Sequence, residues 1–200
     1  MKLPKKRLPA TERKKQILKS AVTVFARSNY RSAKVVDIAA EVDISEAMVY
    51  KYFQTKKSIF LNILEHMSDR IITFWKEEVE KEPDALIALK KMGLAYYERM
   101  KKHPNELKVQ FQAISEIDDP DIAGQLRQDH LKYIRFLNSV LQKGVKQGII
   151  KKNLNTEEVA FLINGAGIVL NMMKLLSFDI TSFKMNPESL LDHFIEMIRA

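Results

Sequence analysis

Residues 37–56 read DIAAEVDISEAMVYKYFQTK, and this stretch predicts two short helices joined by a tight turn. Each helix has one apolar face, formed by Ile38, Ala39 and Val42 in the first and by Ala47 and Val49 in the second. The small side chain at position 39 lets the two helix backbones approach closely. This arrangement is typical of a helix-turn-helix, which places its second helix in the major groove of DNA. Many helical domains contain such pairs, so the periodicity by itself is a weak signal.

The positive charge of the chain is concentrated around this stretch. The 200 residues carry 33 Lys and Arg and 25 Asp and Glu, a formal net charge of +8. Residues 1–60 hold 14 of the basic and 5 of the acidic side chains, a net charge of +9, whereas residues 61–200 are close to neutral. A basic segment joined to a near-neutral one indicates a nucleic-acid-binding module fused to a part with another role. The alternative is a basic surface that only keeps the protein in solution.

The composition excludes several functional classes. The chain has no cysteine, which excludes disulfides, zinc–thiolate sites and a cysteine nucleophile. The four histidines show no ligand spacing and no serine-centred nucleophile motif is present, so we expect neither an enzyme, nor a metal site, nor a cofactor. The basic N-terminus lacks the apolar core of a signal peptide, and Asn164 and Asn171 interrupt the longest apolar stretch. We therefore expect a cytoplasmic protein that does not interact with a membrane.

Apolar residues recur at helical spacing along the whole chain, which predicts an all-α protein. We expect nine helices, at residues 11–29, 34–42, 45–52, 56–81, 83–102, 104–117, 120–147, 156–176 and 187–199. The first three would form a helix-turn-helix DNA-binding domain over residues 1–55, with a basic N-terminal tail. The larger bundle over residues 56–200 would bind a ligand and form a dimer. The long helix from Lys56 would couple the two domains mechanically.

The helix-turn-helix residues also carry a family resemblance. The strings Asp37-Ile38-Ala39, Val42-Asp43-Ile44-Ser45 and Val49-Tyr50-Lys51-Tyr52-Phe53-Gln54-Thr55-Lys56 closely resemble the TetR (tetracycline-repressor-like) family of bacterial regulators. The resemblance covers roughly residues 11–60 and implies a DNA-binding unit followed by a helical ligand-binding and dimerisation domain. This chain has Asp43 where the family usually has a turn glycine, Lys34 where a capping Thr or Ser is common, and Met48 where a small residue is frequent. These departures leave the fold expectation intact but prevent the transfer of any operator sequence.

Five residues are expected to contact the DNA backbone or its boundary. The resemblance implies that Lys56 and Tyr52 contact the backbone and that Tyr50 lies at the protein–DNA boundary. Arg31 and Lys34 are placed to hold flanking phosphates, contacts that supply affinity without reading sequence. The alternative for Lys56 is a surface lysine at the start of a helix, and the alternative for the two tyrosines is core packing.

Base contacts are expected from the second helix, which begins at the N-cap Ser45. Glu46 can accept a hydrogen bond from cytosine N4, Lys51 can donate to guanine, and Met48 can touch a thymine methyl group. The basic tail at residues 2–7 would reach a minor groove or stay disordered.

The C-terminal helices predict a dimer interface. The helix at 156–176 is apolar nearly all round, so it must be buried on both sides, one against its own domain and one against a partner. Together with the last helix it would form half of a four-helix interface, which the resemblance also implies. The residues expected there are Gly165, Ile168, Met172, Leu175, Leu191, Phe194 and Ile198. The alternative is a central helix in a monomeric core.

Aromatic and methionine side chains between these helices predict a ligand pocket. A mostly apolar cavity with a few polar groups is the usual small-ligand site. The expected lining is Trp75, Tyr96, Tyr97, Met100, Phe111, Phe136 and Phe161, with Gln110 and Asn164 as polar contacts. A fully packed core would use the same residues.

These features together predict a homodimeric, ligand-responsive transcriptional regulator. The resemblance favours a repressor that a small apolar molecule releases from a pseudo-palindromic operator in double-stranded DNA. The ligand would shift the helix that starts near Lys56 and so change the separation of the two DNA-binding units. The alternatives are a helical small-molecule carrier without specific DNA binding and an enzyme that uses the same cavity.

Overall fold

The computed structural model describes residues 8–178 and 186–200, and these form nine α-helices. The helices are α1 (Ala10–Ser32), α2 (Val35–Glu41), α3 (Glu46–Tyr52), α4 (Lys56–Lys81), α5 (Ala85–Lys102), α6 (Pro104–Ile114), α7 (Pro120–Lys146), α8 (Thr156–Leu175) and α9 (Pro187–Ile198). Within the described ranges the one β-bridge joins Ile150 to Arg199. The predicted all-α class and the number of helices are confirmed. The basic tail at residues 2–7 lies outside the described residues.

Side-chain caps and prolines fix where the helices begin. Ser45 accepts a hydrogen bond from the Met48 amide at the start of α3, and Thr55 forms a capping box with Ser58 at the start of α4. Helices α6, α7 and α9 each begin with a proline, which lacks only an N–H that would have no partner inside the helix.

One apolar core joins α1–α3 and the first half of α4. Phe25 and Phe60 are fully buried at its centre, with their ring centroids 5.4 Å apart in an edge-on contact. Val109 and Ala113 of α6 and Ile122 of α7 are buried in the same core. The N-terminal core therefore includes residues well beyond position 55, although the division at 55/56 itself stays a prediction.

A second core joins the C-terminal half of α4 to α5, α7, α8 and α9. Trp75 lies at its centre, with its ring centroid 5.6 Å from that of Tyr133 and 5.9 Å from that of Phe136. Helix α4 contributes Ile59 to Met67 to the first core and Ile71 and Trp75 to the second. It is thus a continuous element shared by both halves of the molecule, as its length predicts.

Candidate DNA interface and ligand cavity

Helix α3 lies on the surface of the molecule. Its one buried residue is Val49, which anchors it to the N-terminal core, while Glu46, Met48, Tyr50 and Lys51 are exposed. Their side chains reach the surface on the side of α3 that a groove of DNA can approach. Core packing, the alternative for Tyr50, does not apply because 44% of its surface is exposed, and its place at the protein–DNA boundary stays a prediction.

Two details of the helix pair differ from the sequence expectation. Ala47 is exposed, so Val49 is the buried residue of the inward face of α3. Tyr52 is half-buried and packs against the N-terminal core, which leaves only part of its surface for a DNA contact.

The turn between α2 and α3 has a left-handed backbone conformation at position 43, where the family that the sequence resembles usually has glycine. Asp43 occupies the left-handed region with φ of +51°. Aspartate tolerates this region better than most residues, which explains how the turn forms without glycine. The Ile44 amide donates to the Ala39 carbonyl at 3.1 Å and closes the turn. Lys34 precedes α2 without capping it and is exposed, as a phosphate contact requires.

The Lys56 ammonium is bonded within the chain in this structure, and its expected contact with the DNA backbone stays a prediction. Its ammonium group donates to the carbonyls of Tyr30, Arg31 and Ala33 at 2.9, 3.1 and 3.1 Å. It also lies 4.9 Å from the centroid of the Tyr30 ring. All three N–H groups are thus used to satisfy the C-terminal carbonyls of α1, and none is left for a DNA phosphate. Lys56 therefore links the start of α4 to the C-terminal end of α1 through these hydrogen bonds.

Arg31 is exposed, but it already has an acidic partner. Its Nε donates to both carboxylate oxygens of Glu116, at 2.9 and 3.0 Å. The next contact along this surface joins Lys57 to Asp119 and Asp121, at 3.0 and 2.6 Å. These bonds raise the pKa of Lys57 to about 12 and lower the pKa of Asp119. The turn between α6 and α7 is therefore tied electrostatically to α1 and α4.

A cavity of about 760 Å³ lies among α4–α9. Six of the nine residues predicted to line it do so, namely Trp75, Tyr96, Tyr97, Gln110, Phe111 and Asn164. Its remaining lining is mostly aliphatic and comes largely from α8 and α9. This volume and chemistry are typical of a small-molecule site.

Three predicted lining residues lie elsewhere. Met100 is 1% exposed and is packed into the protein interior away from the cavity. Phe136 stacks on the Trp75 ring and packs against the second core. Phe161 is 63% exposed and does not line the cavity, although Leu162, Ile163 and Asn164 of the same turn do.

Two pairs of polar side chains lie in the cavity wall, and the sequence predicted one member of each pair, Asn164 and Tyr96. Asn164 Oδ1 lies 3.3 Å from His130 Nδ1, and Asn171 Nδ2 donates to the Tyr96 hydroxyl at 2.6 Å. Burial raises the pKa of Tyr96, so this phenol stays protonated. An asparagine inside an apolar helix was the available signal for Asn171, while His130 gave none.

The predicted dimer residues are divided among four environments. Ile198 is 3% exposed and belongs to the second core, so its assignment is wrong. Ile168, Leu191 and Phe194 line the cavity, and Gly165 and Leu175 are half-buried. Of the predicted set Met172 alone is exposed. It lies on an apolar face of α8 and α9 that is exposed in the single chain, which we call the α8–α9 face: Phe161, Leu162, Val169, Met172, Leu176 and Met197.

Helix α8 is long and apolar enough to cross a membrane, as judged from length and composition alone. Its asparagines nevertheless hydrogen-bond to α5 and α7 across the cavity, so it packs as part of the bundle. Within residues 8–178 and 186–200 no three His, Asp or Glu side chains are grouped in a way that could hold a metal ion.

Helix α6 joins the cavity to the N-terminal core. On one side Val109 and Ala113 are buried against α1, and the Gln112 side-chain amide donates to the Phe25 carbonyl at 3.0 Å. On the other side Gln110, Phe111 and Ile114 line the cavity. Sequence periodicity did not single out this helix, because its two apolar faces look alike until their partners are known.

Comparison with known proteins agrees with this architecture. Residues 17–63 match the family model described as bacterial regulatory proteins, tetR family. The chain is 28% identical over 191 residues to the uncharacterized HTH-type transcriptional regulator YuxN of Bacillus subtilis, an alignment that covers 94% of this chain but only 62% of YuxN. It is 25% identical over 195 residues to the probable acrEF/envCD operon repressor of Escherichia coli K12, covering 94% of this chain and 87% of that protein.

Solved structures share the fold. The transcriptional regulator FadR from Bacillus subtilis, crystallised in complex with stearoyl-CoA, superposes with a TM-score of 0.78 at 19% identity. The superposition covers 92% of this chain and 96% of FadR. At this level of identity the likeness establishes the all-α architecture.

Proposed function

The chain belongs to the TetR family of bacterial regulatory proteins, and we propose that it is a homodimeric repressor that an apolar ligand releases from operator DNA. The observation that carries this proposal is the position of α6. One helix supplies both a wall of the cavity and part of the core that supports the exposed recognition helix α3.

The DNA contact is assigned to the exposed end of the N-terminal unit. Glu46, Met48 and Lys51 on α3 would meet base edges, and Lys34 at the start of α2 would meet a phosphate. Arg31 joins this set only when Glu116 releases it. The net charge of +9 over residues 1–60 gives this end the attraction to DNA that the neutral remainder lacks.

A second copy of the chain is proposed to cover the α8–α9 face. This face presents large apolar side chains on two neighbouring helices, and a patch of that kind marks a protein interface in a soluble protein. A two-fold axis would place the same patch on both partners. The two copies of α3 would then read successive major grooves, whose centres are about 34–36 Å apart.

Ligand release is proposed to travel through α6 and the turn that follows it. A ligand that pushes on Phe111 and Ile114 displaces α6 against α1, to which Gln112 and the Arg31–Glu116 pair are bonded. Release requires only that the ligand bind more tightly to the state in which the spacing of the two DNA-binding units does not fit the operator.

The proposal is tested by footprinting the DNA around the gene that encodes this chain, followed by gel shifts at several salt concentrations. We expect one protected pseudo-palindrome and an affinity that falls steeply with salt. Met48→Ala should relax the sequence preference, whereas Lys34→Ala should weaken binding to all sequences alike. The absence of any protected site would overturn the proposal and favour the carrier.

The dimer is tested by sedimentation of Met172→Glu, which puts a charge into the α8–α9 face at a residue that does not line the cavity. We expect a folded monomer that binds DNA poorly, while Gln142→Glu, a substitution at an exposed polar residue of α7, stays dimeric. A dimeric Met172→Glu protein would show that the copies meet elsewhere.

A further inference from the structure

Lys174, in the last turn of α8, lies next to one wall of the cavity without lining it. The stripe of α8 that lines the cavity passes through Gly167, Leu170 and Asn171, and Lys174 follows at the three- and four-residue spacing that keeps it on the same side of the helix. Its ammonium nitrogen lies 5.9 Å from the ring centroid of Tyr97, which is itself part of the cavity wall.

The Lys174 ammonium is buried, and it has no hydrogen-bond partner among the residues that the structure describes. The nearby carboxylate of Glu98 is exposed and lies 3.9 Å from the ammonium of Lys101 instead. Burial and the positive charge of Lys101 both lower the pKa of Lys174. A buried ammonium without a partner costs free energy, and an anion from outside the chain would offset that cost.

The opposite end of the cavity has the reverse electrostatic character. A small void there shares Gln110, His130 and Tyr133 with the cavity wall and also touches Asp129. Asp129 is 5% exposed and adds an acidic group beside this end of the cavity, and burial raises the pKa of its carboxyl. An anionic group is therefore disfavoured at the Asp129 end and favoured at the Lys174 end.

We propose that the cavity takes a linear apolar ligand with one anionic head group, and that Lys174 is the counter-ion of that head. The residues that line the described cavity include no Lys, Arg, Asp or Glu, whereas the Lys174 ammonium lies 5.9 Å from the ring of Tyr97 in its wall. Lys174 follows Asn164 by ten positions of α8, about 15 Å along the helix axis, and the apolar tail of the ligand would pack along this segment. The inference rests on the proposed function only in taking this cavity as the ligand site.

The test uses three probes with the same chain and different heads: decanoate, 1-decanol and decylamine. Trp75 is the single tryptophan and lies in the cavity wall, so its fluorescence reports occupancy directly. We expect decanoate to bind at least tenfold more tightly than the alcohol or the amine. Equal affinities, a preference for the amine, or no saturable binding of decanoate would overturn the assignment.

Variants locate the head group. Lys174→Met should weaken decanoate at least tenfold and leave 1-decanol within twofold, since the tail contacts are unchanged. Loss of an unpaired ammonium should not unfold the protein, which thermal melting checks. Lys152→Met, a change at an exposed lysine before the opposite end of α8, is the control and should leave both affinities unchanged. Unchanged decanoate binding by Lys174→Met would overturn the proposal.

The proposed repressor function is judged separately. Gel shifts at saturating decanoate measure whether occupancy releases DNA. Tight binding that depends on Lys174 but leaves the DNA complex intact would contradict the regulatory proposal and leave the head-group assignment standing.

Discussion

Lys56 offers a direct comparison between a family-based expectation and the structure. The resemblance assigns it to the DNA backbone, whereas the structure shows its ammonium bonded to three carbonyls at the end of α1. The substitution Lys56→Met keeps a side chain of similar length and removes the charge and all three donors. The two assignments predict opposite outcomes for stability and for DNA binding.

The loss of stability can be estimated from the three bonds. The Tyr30 and Ala33 bonds are partly buried, and a hydrogen bond from a charged donor contributes about 1.5 kcal/mol or more. The Arg31 bond is exposed, so water replaces it at little cost. The two buried bonds therefore give about 3 kcal/mol for Lys56→Met. For a chain of this length that corresponds to a fall of roughly 6–12 °C in Tm.

The neighbouring lysine supplies a matched control. Lys57→Met removes the same charge from the next position but breaks only ion pairs to side chains at the surface, which contribute little. Thermal unfolding should thus separate the two variants clearly. If Lys56 held a phosphate instead, its variant would melt like Lys57→Met. Each lost phosphate contact would also reduce the salt dependence of DNA binding by about 0.9 in log–log slope. That combination would refute the structural role.

Three further outcomes follow from the packing and the charges. Gly144→Ala should lower the free energy of unfolding in urea by about 1–3 kcal/mol, because the new methyl would lie 2.5 Å from Ile150 Cδ1. Gly124→Ala on the same helix meets nothing within 4 Å and should raise that free energy by up to about 1 kcal/mol. Asp129→Asn should be more stable than the parent protein at pH 7, since the raised pKa makes ionisation of Asp129 destabilising; the advantage should vanish towards pH of about 4. Glu116→Gln, which frees the α1 guanidinium, should tighten DNA binding in gel shifts without changing ligand affinity.

The N-terminal unit could be predicted from sequence because its determinants are local. Ser45 caps α3 through a bond three residues along the chain, and Asp43 supplies the backbone conformation of the turn. The apolar spacing of α2 and the buried Val49 then fix how the pair packs. Each of these is visible within a few residues of sequence.

The C-terminal assignments failed where a helix has apolar residues on every side. Periodicity shows that α8 is buried or partnered all round, but it does not show which side meets the cavity and which meets a second copy. Phe161 was assigned to the pocket and is exposed, while Ile168 was assigned to the interface and lines the cavity. The assignment depends on where α5, α7 and α9 lie, which no local pattern of α8 contains.

Lys56 and Lys57 carry the same lesson at the scale of one residue. They are adjacent lysines in the first turn of α4, and composition, charge and propensity treat them alike. Successive residues of a helix point about 100° apart, so one side chain meets the open carbonyls of α1 and the other meets the carboxylates at the start of α7. Lys56 stabilises the packing of α1 on α4 within the DNA-binding unit, and Lys57 forms surface ion pairs with the ligand-binding half. The rotation of α4 about its axis, relative to α1 and α7, decides which lysine takes which role. The partners themselves lie 25 and 62 positions away in the sequence, at Arg31 and Asp119.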